Sequence, residues 1–402
     1  MNRFLSTKDE TLCCGCSSCV VSCPKKCIVM TTNKDGFYVP EVIDAIACID
    51  CGLCGKVCPF ENPKANESTT EFYAAYSTNE QYILNSSSGG LFPEIANYIL
   101  TQGGIVYGAY MDEKYELYHT RITTVEDLPK LMRSKYYQSD IRNTYRECKK
   151  DLIDGRKVLF SGVPCQIQGL KLYLGIDYDN LNTIDIICHG VPSPLIFHEY
   201  KNYLERKHKA KLIDVNFRDK SKYGQSETMK YTMESVSGKR KDYFFYYPFS
   251  NYLKPFLQGL FSRESCFNCP FKTLSRPGDI SLGDFWGYQK SRPELAHKDG
   301  LSLILSNTDK GKSLIRECKS NGVIFHEITE GNVKAGGNNS LFSRQQRPLL
   351  RDITYSGIHE YGMDYMVKHY FEPKLTLRQR IRRLLPNCVI EIIKKKNNNY
   401  CM

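Results

Sequence analysis

One spacing constrains this chain more than any other: C-x2-C-x2-C-x3-C-P occurs twice near its start. Cys13, Cys16, Cys19, Cys23 and Pro24 recur 35 residues later as Cys48, Cys51, Cys54, Cys58 and Pro59. Three cysteines in one tight loop wrap a face of a four-iron cube, and the fourth reaches across to the other cube of the pair. Cys13, Cys16, Cys19 and Cys58 are therefore assigned to one 4Fe-4S cluster, and Cys48, Cys51, Cys54 and Cys23 to a second. Zinc also accepts thiolate sets, but two complete copies with the trailing proline favour the cubes. Cys14 and Cys27 fall outside the spacing and read as spectators.

Thiolate ligands need a reducing environment. Met1 to Leu12 is polar and charged, without the apolar run of a secretory signal, so a cytoplasmic location is expected. No stretch approaches the roughly 20 apolar residues of a membrane span. The 402 residues, 41% hydrophobic and 25% charged, suffice for two or three domains with their own cores. Much of the net charge of +11 is terminal: Arg378, Arg380, Arg382, Arg383 and Lys394 to Lys396 interleave with Leu377, Ile381, Leu384 and Leu385. Residues 371–402 thus read as a basic amphipathic tail, suited to packing on its own domain, to an acidic partner or to peripheral membrane contact. Nucleic acid is not an expected partner.

The duplicated segment, residues 1–68, reads as a ferredoxin-like domain. Ile28 to Thr31 and Phe37 to Val39 are expected strands around the turn Asn33 to Gly36, and Val42 to Ala47 a short helix. Glu61 to Thr70, polar and containing Pro63, reads as a linker. From Phe72 onward strands and helices alternate: strands at 72–76, 105–111, 115–122, 157–160, 184–187, 279–282, 301–305 and 323–325, helices at 91–101, 141–152, 194–207 and 309–318. Ser237-Gly238 marks a hairpin turn. The pattern predicts an α+β or α/β domain over 69–370 with a mixed sheet. The stripe Ile141, Tyr145, Cys148 and Leu152 puts Cys148 in the core.

A second group of cysteines lies in this larger domain: Cys165 in Ser161-Gly162-Val163-Pro164-Cys165-Gln166, Cys188 before His189-Gly190, and the pair Cys266 and Cys269. Turns and strand ends are where ligands converge from separate elements. By spacing alone the four fit a third cluster, a redox disulfide or a zinc site.

The chain resembles the family of coenzyme F-420 hydrogenase/dehydrogenase beta subunits, including those with a fused ferredoxin segment. The resemblance runs from Cys13 to about Gly337. It is carried by Ser87-Ser88-Gly89-Gly90, Arg133 to Ser139, Ser161 to Gln166, Cys188 to Ser193, Phe217-Arg218-Asp219-Lys220, Cys266 to Cys269, and Asp279 to Gly287. It implies an FAD-containing iron-sulfur oxidoreductase with a third 4Fe-4S cluster on Cys165, Cys188, Cys266 and Cys269. Within the matching blocks, Ser88, Gly89, Gly90, Lys135, Tyr137, Ser139, Gly162, Gln166, Gly283 and Asp284 are the expected flavin-binding residues. Gly89 and Gly90 precede a helix and would meet a phosphate that Lys135 neutralises. Gly162 and Gln166 would lie against the ring. His189 is the candidate proton donor, against a plain hydrogen-bonding role. The resemblance further implies an external low-potential donor such as ferredoxin and an organic acceptor, a deazaflavin or a sugar- or lipid-linked intermediate of surface polysaccharide synthesis among the options. The competing expectation is an electron-transfer subunit that feeds a partner enzyme. The remaining cysteines offer no hydrogenase metal motif.

Overall fold

The computed structural model describes residues 1–64, 70–319 and 322–372. The centre of the expected linker and residues 373–402 of the basic tail lie outside them. Each N-terminal cysteine loop runs into a short helix, Ser18–Ser22 and Leu53–Lys56. The preceding residues, Ser17 and Gly52, both take left-handed angles, with φ 64° and 71°. The 35-residue repeat therefore extends to the turn that starts each helix. Between the loops lies an antiparallel hairpin of β1 (Ile28–Thr32) and β2 (Tyr38–Val42), whose turn is closed by Asn33 Oδ1 accepting the Phe37 amide. The helix expected over 42–47 does not form. Asp44 Oδ1 accepts the amides of Ile46 and Ala47 instead, a local side-chain bond that competes with the helix.

Beyond the linker the strands are β3 (Glu71–Ser77), β4 (Ile105–Met111), β5 (Leu117–Ile122), β6 (Val158–Gly162), β7 (Leu181–Ile186), β8 (Ala210–Asn216), β9 (Thr228–Ser235), β10 (Arg240–Tyr246), β11 (Ile280–Asp284), β12 (Ser302–Ser306) and β13 (Val323–Ile328). Eight of them form one mixed sheet in the order β13-β3-β12-β11-β7-β6-β4-β5. Its centre, β4, β6, β7 and β11, is parallel, and the flanking pairs are antiparallel. Helices Leu91–Thr101 and Asp309–Lys319 cover one face, packing Ile95, Ile99 and Leu314 on Val106, Leu159 and Ile184. Helices Thr144–Ile153 and Pro164–Leu174 cover the other, where Tyr145, Cys148 and Ile167 meet Tyr107 and Phe160. Adjacent residues of one strand enter opposite cores because side chains alternate with period two. Cys148 lies fully in the core.

Strands β8 to β10 make a separate antiparallel sheet. With helices Pro194–His208 and Leu350–Met366 it encloses an aromatic core of Phe197, Phe217, Tyr252, Phe261 and Tyr355. The parallel strands of the main sheet all end at one edge. In open sheets of this kind the crevice outside the carboxyl ends is where ligands bind.

Candidate iron-sulfur and cofactor site

The N-terminal cysteines gather into two sets. Burial pushes the Cys19 thiol well up, with Cys16, Cys13, Cys58 and Cys54 reinforcing the rise, so Cys19 stands close to sulfurs of both copies of the motif. Cys23 instead lines a small cavity with Cys48, Cys51 and Cys54. Backbone amides point at the sulfurs: Gly15 N–H donates to Cys13 Sγ at 3.4 Å, a donor of the kind that stabilises a thiolate. Cys27, outside the spacing, lies 3.4 Å from Cys23, sulfur to sulfur. The two sets differ in exposure. Cys13, Cys16 and Cys19 are buried, whereas Cys51 is exposed among Ile43, Ile46 and Ile49 at the surface.

A cavity of about 730 Å³ opens beyond the carboxyl ends of the parallel strands, bordered by Ala109, Gly162, Ile186 and Asp284. Cys165, Cys188, Cys266 and Cys269 line it together. Cys165 is the second residue of the helix Pro164–Leu174, Cys188 follows β7, and Cys266 sits in the short helix Glu264–Phe267. Burial pushes the Cys188 thiol up to about 12, with Cys266 and Cys269 contributing. Among the described residues, no three cysteine, histidine or carboxylate side chains converge as a single metal ion requires. A cube holds its thiolates farther apart than one ion does.

The cavity has an ordered rim. Val163 N–H donates to Gln166 Oε1 at 3.1 Å, and Gln166 Nε2 donates to Ser139 Oγ at 3.1 Å. Ser139 in turn meets His119 Nδ1 at 3.1 Å, and His119 Nε2 meets the Ser161 carbonyl at 3.0 Å. Gln166, Ser139 and His119 are therefore held in one chain of bonds that begins at Val163 and ends at Ser161, the two residues flanking Gly162. Lys135 and Gly90 also border the cavity. The Lys135 ammonium is engaged by the carbonyls of Ala109 and Met132 at 2.9 and 2.8 Å.

Other expected flavin residues have polar atoms already committed to the protein. Gly89 N–H donates to Ser302 Oγ, and a Cβ at Gly89 would lie 2.3 Å from the Ala75 carbonyl. Gly89 thus serves close packing rather than a phosphate. Ser88 Oγ donates to the Leu301 carbonyl, and Tyr137 donates to Tyr115 O while stacking on Phe197. Gly283 is small because Ile187 lies where its Cβ would be. Asp284 is held by Arg218 at 2.8 and 3.2 Å and by Gln225. Arg218 also stacks over Trp286. Lys220 donates to the carbonyls of Ile83 and Ser88. The blocks 87–90, 217–220 and 283–286, distant in sequence, thus brace one another.

His189 lines the cavity, but its Nε2 faces the Leu257 carbonyl at 2.9 Å and burial pushes it down to about 4. In this arrangement His189 Nε2 is committed to the Leu257 carbonyl, the plain hydrogen-bonding role.

Sequence reasoning passed over three residues that the fold brings in. Cys14, outside the cluster spacing, lines the cavity together with Cys165. Arg263 and Lys272 reach the cysteines from the flank of the larger domain. Only the doubled Cys13-Cys14 hinted at the first, and no local pattern marks the other two.

Two family models match. Residues 12–62 match a 4Fe-4S dicluster domain, and residues 155–330 match the C terminus of "Coenzyme F420 hydrogenase/dehydrogenase, beta subunit". Over residues 155–330 the chain is thus similar to the C terminus of coenzyme F420 hydrogenase/dehydrogenase beta subunits. It is 25% identical over 336 residues to a coenzyme F420-dependent sulfite reductase of Methanocaldococcus jannaschii, covering 80% of this chain and 48% of that protein. It is 23% identical over 312 residues to one of the subunits of the F(420)H(2) dehydrogenase of Methanosarcina mazei, covering 72% of this chain and 82% of that protein. The chain therefore spans about half the length of the first relative and most of the second. A chain in the F420-reducing NiFe hydrogenase complex of Methanosarcina barkeri aligns with TM-score 0.41 and 18% identity, over 74% of this chain and 91% of that one. The dicluster match supports iron-sulfur clusters on residues 12–62, and the two relatives named are an oxidoreductase and a subunit of one.

Proposed function

We propose that this protein carries electrons through three cysteine sets to FAD in the 730 Å³ cavity, and from there to an organic acceptor. One contact carries the reading. Gly169 lies one helical turn, about 5.4 Å, beyond Cys165, and a Cβ there would stand 3.1 Å from Cys16 Sγ. A cysteine of the buried N-terminal set thus packs against the helix whose first turn delivers Cys165 to the cavity. The set of Cys48, Cys51, Cys54 and Cys23, which includes the exposed Cys51, is the natural inlet, and the more buried set of Cys13, Cys16, Cys19 and Cys58 lies between it and the interior.

The cavity fits a polar ring system. Gln138 Nε2, Ser265 Oγ and Asn338 Oδ1 are buried without a protein partner, and all three residues line it. Burying such atoms unpaired is costly, and a bound ligand would satisfy them. FAD, when bound, would supply the exchange between one-electron and two-electron chemistry. Gly162, Gln166 and Ser139 would border it, with Gly90 and Lys135 on the side of the helix Leu91–Thr101.

Anaerobic purification with iron, sulfide and flavin counted per chain tests this reading. Three cubes require about twelve irons, alongside stoichiometric flavin. About eight irons would remove the third cluster, and absent flavin would remove the acceptor chemistry. A low-potential donor such as reduced ferredoxin should bleach the flavin, and a screen of deazaflavin and sugar- or lipid-linked acceptors for reoxidation then identifies the substrate class.

A second reading, an electron-transfer subunit that feeds a partner enzyme, is favoured by the exposed Ile43, Ile46, Ile49 and Leu53 around the outer cysteines and by one relative being a subunit of a dehydrogenase. Clustered apolar exposure marks contact surfaces. Ile46→Asp should abolish copurification of such a partner while leaving iron content unchanged. Membrane docking through residues 371–402 is checked by deleting them and measuring association with anionic vesicles.

A further inference from the structure

Arg263 and Lys272 are buried, at 4% and 7% exposure. The guanidinium of Arg263 bonds to the carbonyls of Cys13 and Tyr38 at 2.6 and 3.0 Å and to Gln138 Oε1 at 3.3 Å, all neutral acceptors. Its Nη2 lies 3.7 Å from Cys13 Sγ. The nearest acid in sequence, Glu264, is taken by Arg347 and Arg351. Lys272 donates to the carbonyl of His189, beside Cys188, at 2.7 Å. Its neighbour Arg276 holds the carboxylate of Asp185.

Two buried cations therefore sit among the cysteines with neutral acceptors where carboxylates would ordinarily be. Withdrawing a cation from water without a counter-charge is strongly unfavourable, so the negative charge must come from what the cations surround. Arg263 touches both sets: its side chain reaches Cys13, and its carbonyl accepts the Cys266 amide at 3.0 Å. The chain makes room for it, since a Cβ at Gly15 would lie 2.8 Å from Arg263 Nη1.

We propose that Arg263 and Lys272 are built-in counter-charges that raise the reduction potentials of the clusters on Cys13, Cys16, Cys19 and Cys58 and on Cys165, Cys188, Cys266 and Cys269. This rests on the three-cluster reading above. Each one-electron reduction adds a negative charge to a cluster, and a fixed cation in a low-dielectric setting stabilises that added charge. The cations at the outer set are the exposed N-terminal ammonium of Met1, which Asp50 partners at 3.5 Å, and the exposed Lys25 and Lys26 beside Cys23 and Pro24, where water screens them. The potentials therefore rise inward, and electrons delivered by an external low-potential donor are drawn toward the cavity.

Potentiometric titration of the anaerobic, iron-replete protein, followed by electron paramagnetic resonance, tests the proposal. Arg263→Met should shift one cluster's reduction equilibrium at least tenfold toward the oxidised state, about 59 mV for one electron. Arg263→Lys, which keeps the charge, should stay nearer wild type. Lys272→Met should lower the midpoint of a different cluster, and the third signal should not move in either variant. The shifts should persist in high salt, because buried charges are poorly screened. Unchanged midpoints in Arg263→Met and Lys272→Met at wild-type iron content overturn the proposal. If Arg263→Met fails to hold iron, Lys272→Met decides alone, since the bond that Lys272 makes to the His189 carbonyl lies within the larger domain. A wild-type count near eight irons sinks the three-cluster reading, yet the Arg263 variants still report on the set containing Cys13.

Discussion

His119 shows how one buried side chain fixes a turn. The Ser161 carbonyl only accepts, so His119 Nε2 carries the proton and Nδ1 accepts from Ser139. Burial pushes the imidazole down to about 4, with Lys135 adding and the Ser161 bond opposing. The unfolded chain, with a value near the usual ~6.5, then binds the extra proton. Stability is full above about pH 6.5 and falls by about 3 kcal/mol as pH drops toward 4. Urea unfolding across that window should show the loss, and His119→Asn, which does not titrate, should flatten it. Gly15 makes a steric prediction. Its φ is 68°, and a Cβ would meet Gln138 Nε2 at 2.3 Å and the Tyr38 carbonyl at 2.6 Å. Gly15→Ala should cost about 1–3 kcal/mol, read as a lower urea midpoint and faster iron loss in air.

At the scale of elements, regular periodicity was readable and tertiary closure was not. The helix Leu91–Thr101 and strand β4 have the bounds that their patterns predict, because each presents a continuous apolar face to one core. Strand β8 and the helix Leu350–Met366 carried no such signal, and of β9 and β10 only the joining turn at Ser237-Gly238 was legible, since their aromatic residues pack across long sequence distances. The helix Pro164–Leu174 is the element on which function turns. Gly169→Val should wedge it away from Ser18 and Cys16, whose atoms would lie 2.4 and 3.1 Å from the new Cβ. Overpacking of this kind costs about 1–3 kcal/mol, and stopped-flow reduction should show slower electron arrival at the cavity at unchanged iron content.

At the scale of the whole molecule, the two expected domains, 1–68 and 69–370, are joined by buried charge. Arg351, 2% exposed, meets Asp35 of the N-terminal hairpin at 3.1 Å and Glu264 of the Cys266 helix at 2.6 Å. Gln168 donates to Asn62 O at 3.1 Å, a second tie across the same boundary. Arg351→Ala leaves Asp35 buried without its partner and should cost about 3–5 kcal/mol. Calorimetry should show one transition for the wild-type protein and a separated N-terminal transition in the variant. No described helix is long and apolar enough to cross a membrane.

What the sequence by itself determined is local: eight cysteines at a spacing that favours a pair of cubes over zinc, and helices and strands whose periodicity repeats within a dozen residues. It also carried the family blocks, whose order marks the larger domain. The tertiary structure decided what stands next to what. It brought Cys14 against Cys165, set Arg263 and Lys272 among the sulfurs, tied Asp284 to Arg218, and turned His189 toward a carbonyl. Those outcomes depend on contacts between residues up to 250 positions apart, formed only when two cores and a docked hairpin close around them. No window of sequence contains such a contact, because the energy that places it is the burial of everything in between.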